Sequence, residues 1–518
     1  MGHQRDSRSL DPLRAPPDTC LHGGRHATGT GFRTGGVTID SPSPPASRSW
    51  RTLALPLLLA AAAGAVTIDA GFVLDDSGAI LESPVVQGEV GPADALARNF
   101  WGHSFGAPEK VSWRPVMPLV WRGLWLLGDG SPLPFHAFSL LLHVLATWAF
   151  GVLMLRLLPD RWTAVAAAVL FAVHGTHSEV VGGIVSQADL ASTLLGASAL
   201  VLLLPRDGRA LRPGLALVLL GLGMVAKESA IVFWPAGMAA MLAARAPRRA
   251  QWAWAAGGLA ILAADGWVQV LSHGAGARSP LDNVLVLMDP AARWWAALGI
   301  LWRELALSFL PVHVAPFHGY AAITSAWQES LLPGGLAVAA LGAGLWRGAG
   351  AVRAGRTGEA VWLVLLFAPA ILGSNLLFIG PTEYADRLLY PATAAGCVAL
   401  ALVCRAGMHA WRRSVAVAVV AAALAATTWF YQRPWHDSES LFRHAVASEP
   451  RSWRAHLNLG RFAPDAMESL WHVLLAEHLK MRQPAPVDWE PVETLEGLPR
   501  RNASSPRPPP WNPSRRAS

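Results

Sequence analysis

The sequence predicts an all-α integral membrane protein, and its composition and apolar runs both indicate that class. Of 518 residues, 53% are hydrophobic and 15% are charged, and the mean hydropathy is +0.33. Soluble domains carry about 25% charged residues. Several apolar runs approach the roughly 20 residues that a helix needs to cross a bilayer. These observations favour a membrane class over a soluble one.

Eleven apolar stretches are predicted to cross the membrane. They lie at 52–70, 134–157, 161–176, 188–204, 213–226, 228–244, 251–271, 331–347, 358–378, 388–404 and 413–431. A further apolar stretch, Trp294 to Pro311, contains Arg303 and Glu304. We expect it to lie in the interface or to re-enter the membrane rather than cross it.

The positions of the arginines predict the orientation of these spans. The N-terminal segment ends with Arg48 and Arg51, and basic residues near short loops mark the cytoplasmic side. Five further loops are basic: Arg156/Arg161, Arg206/Arg209/Arg212, Arg245/Arg248/Arg249, Arg347/Arg353/Arg356 and Arg405/Arg412/Arg413. About eleven crossings place all of them on one side and the C-terminal segment on the other. The Ala-, Leu- and Arg-rich composition suggests a bacterial inner membrane, with the N-terminus cytoplasmic and the C-terminus periplasmic.

The chain divides into four predicted regions. Residues 1–50 are rich in Pro, Gly, Ser and Arg and are predicted to be a disordered cytoplasmic segment without a cleavable signal peptide. Residues 51–431 form the polytopic membrane domain, and 432–482 form a helical segment. Residues 483–518, rich in Pro, Arg and Ser, are predicted to be disordered.

Two adjacent carboxylates, Asp75 and Asp76, follow the first apolar stretch at the predicted membrane–water boundary. Neighbouring carboxylates repel each other, so one is expected to hold its proton more tightly than the other. Such a pair can supply a general base at a bilayer surface. The alternative is that both are solvated loop acids that mark the end of a helix.

Further ionisable residues fall in the other segments predicted to be external. They are Arg114 in the first loop, His174, His177, Glu179 and Asp189 in the second, Lys227 and Glu228 in the third, and Glu383, Asp386 and Arg387 in the fourth. Ionisable groups at membrane depth are costly and usually functional. Their concentration on one face predicts an active site there.

Each of these groups also has a structural interpretation. The two histidines and Glu179 have donor types that suit a divalent cation, but hydrogen-bonding loop histidines are the favoured interpretation. Arg114 and Arg387 suit either phosphate binding through paired hydrogen bonds or interfacial anchoring. Lys227 and Glu228 are also consistent with an ion pair that ends a helical hairpin.

Several motifs, taken in chain order, resemble those of a known family. They are Asp75-Asp76, Trp113-Arg114-Pro115, Pro134-Phe135-His136, Leu142-His143, His174-Gly175-Thr176-His177-Ser178-Glu179, Ala188-Asp189-Leu190, Lys227-Glu228 and Ala385-Asp386-Arg387-Leu388-Leu389-Tyr390-Pro391. From roughly Phe72 to Gly460 the chain resembles the transmembrane and tetratricopeptide-repeat O-mannosyltransferases, and more broadly the GT-C glycosyltransferases. The resemblance implies a GT-C-like polytopic bundle of about 11 transmembrane helices.

Three motifs depart from the family pattern. Gly175 stands where the family usually has proline after the first histidine. Gln187 stands where the family has the arginine of Gly-Arg-Ala-Asp, and Asp386 replaces the glutamate of Glu-Arg-Val-Leu-Tyr. The acid–arginine pair at 386–387 therefore survives, whereas the arginine missing at 187 puts one substrate contact in doubt.

The resemblance also implies a reaction. A sugar, expected to be mannose, would pass from a polyprenyl-phosphate donor to a hydroxyl acceptor, expected to be protein serine or threonine. Asp75 would act as the base and Asp76 would position the acceptor, or the two would exchange roles, since a hydroxyl is a poor nucleophile without a base. Arg387, Arg114 and Lys227 would stabilise the departing phosphate. The remaining substrate-binding candidates are His174, His177, Glu179, Asp189 and Asp386. This scheme requires no metal and no other cofactor.

The C-terminal part resembles the start of a tetratricopeptide-repeat array. The resemblance runs from Trp435 through Pro450 and from Ala455 to Gly460, and it stops at Arg461. A working array needs about three stacked repeats to bury a continuous core. We therefore expect a single degenerate repeat-like segment, in which 465–482 form one helix.

Two other functions are consistent with a polytopic chain. A transporter should place ionisable residues near the bilayer midplane and show repeat symmetry between its halves, whereas the charges here cluster at one face. A non-catalytic scaffold would keep its repeats and lose its acids, and this chain shows nearly the reverse.

Overall fold

The protein was analysed as a computed structural model, which describes residues 49–105, 112–204, 211–272, 283–316, 318, 331–380 and 382–481. These residues are mostly helical, and within them the extended pairing is limited to an isolated bridge between Arg98 and Ser104. Helices satisfy their own backbone hydrogen bonds, which a bilayer requires. The predicted all-α class is confirmed.

A helix occupies every apolar stretch that was predicted to span. The helices up to the end of the membrane domain are α1 (Ser49–Gly64), α2 (Val116–Gly128), α3 (Leu133–Leu157), α4 (Arg161–Ala172), α5 (His177–Gly182), α6 (Gln187–Leu203), α7 (Pro213–Ala226), α8 (Phe233–Ala243), α9 (Arg248–Ser272), α10 (Pro290–Leu307), α11 (Leu331–Arg353), α12 (Thr357–Gly373), α13 (Tyr390–Arg405) and α14 (Ala410–Gln432). Short 3₁₀ turns cover Ala65–Thr67, Pro92–Ala97, Ile184–Ser186, Glu228–Val232, Val284–Leu287, Asp386–Leu389 and Arg433–His436, and one α-helical turn covers Pro84–Gln87.

Among the described residues, six helical stretches are long and apolar enough to cross a membrane. They are α3, α9 and α11, α6 and α13 each together with the 3₁₀ turn before it, and α14 together with the turn after it. The chain is therefore an integral membrane protein. Helices α1, α2, α4, α7, α8 and α12 are apolar but shorter, so the number of about 11 crossings stays a prediction. Helix α10 packs against α11 and α12 and is not among the six, and its predicted interfacial or re-entrant position is likewise untested.

Local sequence explains where several helices begin. Asp160 accepts a hydrogen bond from the backbone N–H of Thr163 at 2.9 Å and so caps α4. Asp289 caps α10 in the same way, with Pro290 at the first helical position. Pro213 opens α7. Side-chain oxygens satisfy N–H groups that lack a partner in the first turn, and proline loses nothing there.

The two ends of the bundle differ in chemistry. At one end, Arg156 in the last turn of α3 donates to two carbonyls at the end of α6, and Arg405 at the end of α13 pairs with Asp160 at 3.0 Å. Asp189 lies in the first turn of α6, and Arg387 lies just before α13. The candidate site residues are therefore at the opposite helix ends from these arginines.

Glycines allow neighbouring helices of the bundle to approach closely. A Cβ at Gly196 in α6 would lie 2.1 Å from Cδ2 of Phe233, whose side chain is 1% exposed. In the α8–α9 pair, Trp234 and Trp254 each donate an indole hydrogen bond to the other's carbonyl, at 3.1 and 2.9 Å. Small residues that let backbones approach are typical of membrane bundles.

We expect Gly196→Ala to destabilise the bundle by about 1–3 kcal/mol, since the buried ring of Phe233 must shift to admit the new methyl group. The matched control is Gly342→Ala in α11, because a Cβ there meets nothing within 4 Å. The measurement is the thermal unfolding midpoint of the purified protein in detergent. Equal midpoints for the two variants would show that the close approach of Gly196 and Phe233 does not limit how the helices pack.

The long segment between α1 and α3 packs onto the ends of the helices. It includes α2, which the count of apolar stretches did not predict. Trp113 exchanges two backbone hydrogen bonds with the side chain of Gln269 on α9, at 2.8 and 3.1 Å. Phe100 packs edge-on against the fully buried Trp121, with ring centroids 5.2 Å apart. The described residues of this segment are therefore an integral part of the bundle.

Three helices follow α14: α15 (Ser438–Ser448), α16 (Trp453–Phe462) and α17 (Ala466–Met481). They pack in succession, and the rings of Phe442 and Phe462 stack with centroids 5.5 Å apart. Helix α17 runs over most of 465–482. The disorder predicted for 1–50 and 483–518 falls on segments that, apart from Ser49 and Trp50, lie outside the described residues.

Candidate functional site

The two neighbouring aspartates have different surroundings. Asp76 is 1% exposed, and its two carboxylate oxygens accept hydrogen bonds from the backbone N–H groups of Val73 and Val185, both at 3.0 Å. Asp75 is partly exposed. Asp76 is thus held by the backbone and buried, whereas Asp75 is the more exposed residue of the pair.

The backbone around the pair has two uncommon features. Leu74, directly before the pair, has a φ of +53°, in the left-handed region that non-glycine residues rarely adopt. Directly after the pair, Ser77–Leu81 form a π-helical turn. Both features occur often at functional sites, where surrounding structure maintains them. This backbone conformation is therefore typical of a turn that holds a side chain in a fixed orientation.

Burial raises the pKa of both carboxyl groups. For Asp76 the raised pKa is about 7, with its backbone hydrogen bonds lowering it and the neighbouring charge of Asp75 raising it. Burial also raises the pKa of Asp75, and the positive charges of Arg387, Arg454 and Lys227 lower it. Burial is the larger effect at Asp75, so the pKa of this carboxyl group lies above its ordinary value, a shift that suits a general base.

Two of the candidate cations form ion pairs with acids distant in the sequence. Arg114 donates from Nε and Nη2 to the two carboxylate oxygens of Glu228, at 2.8 and 2.5 Å. Lys227 donates from Nζ to both carboxylate oxygens of Asp189, at 2.6 and 2.7 Å. The interpretation of Lys227 and Glu228 as one ion pair is therefore wrong, because the two side chains bind different partners.

Arg387 is the most accessible of the three cations. Its Nη1 binds Oε1 of Glu179, and its backbone N–H donates to Oε2 of the same carboxylate at 3.1 Å. Its side chain is 27% exposed, against 14% for Arg114 and 8% for Lys227. A guanidinium that is held by one buried acid and still partly open can bind a second anion.

Asp386, expected to bind substrate, lies in a buried hydrogen-bond network. Its side chain is fully buried; one carboxylate oxygen accepts from Nε2 of His318 at 2.9 Å, and the other accepts from the backbone N–H of Ala315 at 3.1 Å. Nδ1 of His318 is bonded to the hydroxyl of Tyr384 at 2.5 Å. The observed contacts of Asp386 thus anchor the segment before Arg387. His318 is distant in sequence, and no motif pointed to it.

The two candidate histidines are buried among aromatic rings. Nε2 of His177 is bonded to the hydroxyl of Thr393 at 2.8 Å, and Nδ1 of His174 is bonded to that of Thr176 at 2.9 Å. The ring of His177 packs 4.5 Å from that of Tyr390. Among the described residues, no group of three or more His, Cys, Asp or Glu is placed to hold a metal ion. The structure favours the hydrogen-bonding interpretation of these histidines.

Gln187, at the position where the family has an arginine, belongs to the core. Its Oε1 accepts from the indole N–H of Trp121 at 2.9 Å, and its Nε2 donates to the carbonyl of Phe135 at 2.7 Å and the hydroxyl of Ser139 at 2.9 Å. The side chain is fully buried. This departure from the motif therefore serves helix packing.

Together, a partly exposed aspartate and three paired cations at one end of a membrane bundle have the chemistry of acid–base group transfer to or from an anionic substrate.

The curated relatives of the chain are named protein O-mannosyl-transferases. F38B6.6 of Caenorhabditis elegans is 24% identical over 422 residues, covering 78% of this chain and 59% of the relative. Tmtc1 of Drosophila melanogaster is 42% identical over 127 residues, covering 24% of this chain and 15% of the relative. Human TMTC3 is 31% identical over 125 residues, covering 24% and 14%. These relatives confirm the family resemblance, and the chain spans less than two thirds of each of them.

No family model matches the chain. The archaeal oligosaccharyltransferase AglB from Archaeoglobus fulgidus, solved with an inhibitory peptide and a dolichol-phosphate, is similar with a TM-score of 0.41 and 14% identity, over 83% of this chain and 60% of that structure.

Proposed function

We propose that the chain is a membrane glycosyltransferase that moves mannose from a polyprenyl-phosphate donor to a serine or threonine hydroxyl of a protein. The observation that carries the proposal is the partly exposed carboxylate of Asp75, on which the charges of Arg387 and Lys227 act. The names of the curated relatives support both the glycosyltransferase class and the sugar.

In this proposal Asp75 is the general base. Its ionised carboxylate takes the proton of the acceptor hydroxyl while the oxygen forms a bond to C1 of the sugar. The bond between C1 and the phosphate oxygen breaks, and the phosphate keeps the electron pair. Asp76 holds the turn in place through Val73 and Val185, which leaves the base role to its neighbour.

The three cations would stabilise the leaving group. A sugar phosphodiester carries one negative charge, and the released polyprenyl phosphate carries up to two, so negative charge grows as the bond breaks. Donors aimed at developing charge in a site sheltered from water lower the barrier. Arg387 suits this role best because it is the most exposed of the three, with Arg114 and Lys227 adding positive charge nearby.

We further propose a GT-C-like bundle of about 11 transmembrane helices, with the N-terminus cytoplasmic and the site and C-terminus on the outer face of a bacterial inner membrane. The six long helices and the shorter apolar ones support this arrangement. So does the position of Arg156 and Arg405 at the helix ends opposite the site.

The test is transfer by the purified chain in lipid nanodiscs. Polyprenyl-phosphate mannose and a set of Ser/Thr-containing peptides are supplied, and mass spectrometry measures hexose on the peptides. We expect hexose addition with the lipid-linked donor and none with GDP-mannose alone. Folded protein that modifies no peptide, but moves the lipid-linked sugar across sealed vesicles, would replace the proposal with a transporter.

A further inference from the structure

The segment that joins α14 to the C-terminal helices packs against the aspartate turn. The backbone N–H of Gly71 donates to the carbonyl of His436 at 3.0 Å. Val73 and Trp435 are 1% and 3% exposed, and they form one apolar cluster with Leu441 and the strained Leu74. The residues just before Asp75 are therefore held by the C-terminal part of the chain.

The same indole also packs against two consecutive glycines. A Cβ at Gly182 would lie 2.7 Å from Cγ of Trp435, and a Cβ at Gly183 would lie 3.0 Å from its Cζ3. Gly182 ends α5, the helix that carries Glu179, and the turn after Gly183 carries the N–H of Val185 that binds Asp76. The contact is close only because neither position has a side chain.

We propose that Trp435 is a positioning residue for sugar transfer: its indole, packed between the aspartate turn and α5, sets the Asp75 carboxylate relative to the Glu179–Arg387 pair. This inference rests on the proposed function. Helix α16 of the same C-terminal part supports it, because the charge of Arg454 also lowers the pKa of Asp75. In this proposal the C-terminal part of the chain contributes to the site, since Trp435 and Leu441 share an apolar cluster with Val73 and Leu74.

Kinetics of two variants at one position test the proposal. Trp435→Ala should lower kcat about 10–100-fold while the KM for polyprenyl-phosphate mannose changes little, because small displacements of a reacting group cost that much. Trp435→Phe keeps a ring in the contact and should retain at least about a third of the wild-type kcat on the same argument. Trp411→Ala, which removes a 65% exposed tryptophan at the start of α14, is the matched control and should behave as wild type.

A second readout needs no sugar transfer. A water-soluble carbodiimide labels Asp75 at a series of pH values, and mass spectrometry of the peptides gives the midpoint of labelling. We expect Trp435→Ala and Gly182→Ala to shift this midpoint and Trp411→Ala to leave it unchanged. An unchanged kcat and midpoint in folded Trp435→Ala would overturn the inference. A wild-type chain that transfers no sugar would instead refute the proposed function, and the labelling would still test the position of Asp75.

Discussion

Asp75→Asn is expected to lower the rate of sugar transfer about 10²–10⁴-fold, the usual contribution of a general base. The amide has nearly the shape of the carboxylate but cannot take the acceptor proton. Because Asp75 is partly exposed, the loss of its charge should disturb the fold little. The measurement is kcat in nanodiscs, with the thermal unfolding midpoint as a check on folding.

Asp94→Asn is the matched control, since Asp94 is an exposed acid in the same long segment.

Asp76→Asn should also abolish transfer, by another route. An amide NH₂ group cannot accept a hydrogen bond from the backbone, so one hydrogen bond to Val73 or Val185 is lost and the turn loosens. We therefore expect Asp76→Asn to lower the unfolding midpoint and Asp75→Asn to keep it. Full activity in both variants would remove the aspartates from the mechanism.

Arg387→Ala should lower kcat about 10²–10³-fold, the usual cost of removing one donor to developing charge. It also leaves Glu179, 3% exposed, without its cation, which destabilises a buried pair by about 3–5 kcal/mol. The double variant Arg387→Ala/Glu179→Gln separates the two effects. Stability should recover in the double variant, whereas activity should stay low.

The same variant makes a prediction about pH. The positive charge of Arg387 lowers the pKa of Asp75, so its removal raises that pKa. The base must be ionised, and the rate therefore rises with pH through the pKa of Asp75. In profiles of kcat/KM against pH, the acidic limb of Arg387→Ala should lie at higher pH than that of the wild type. A limb that stays in place, or moves to lower pH, would contradict the assignment of Asp75 as the base.

The sequence was sufficient for the all-α class and for the assignment of the chain to the membrane proteins. Both depend on a local property, because long apolar runs form helices that can cross a bilayer. The sequence could not show which charged side chains pair with one another. Lys227 and Glu228 are neighbours in the chain, yet their side chains bind different partners. Lys227 binds an acid 38 residues away, and Glu228 binds an arginine 114 residues away. Such pairings follow from how helix ends meet in three dimensions.

The residues that sequence reasoning missed are those that contact the candidate site from distant parts of the chain. His318 bonds to Asp386 across 68 residues, and it lies in no recognised motif. Trp435 was assigned to the repeat-like segment, and its contact with the glycines at 182 and 183 depends on the path of the chain after α14. Hydropathy and spacing carry no information about such a contact.

The pairing of Arg114, Lys227 and Arg387 with internal acids has a consequence for how substrate arrives. Because each cation is already balanced by a carboxylate, the site projects little net field beyond a Debye length of about 8 Å. Electrostatic steering from solution, which speeds the capture of charged ligands, would contribute little. The lipid-linked donor that we propose would not need such steering, because lateral diffusion in the membrane plane would bring its head group to the helix ends.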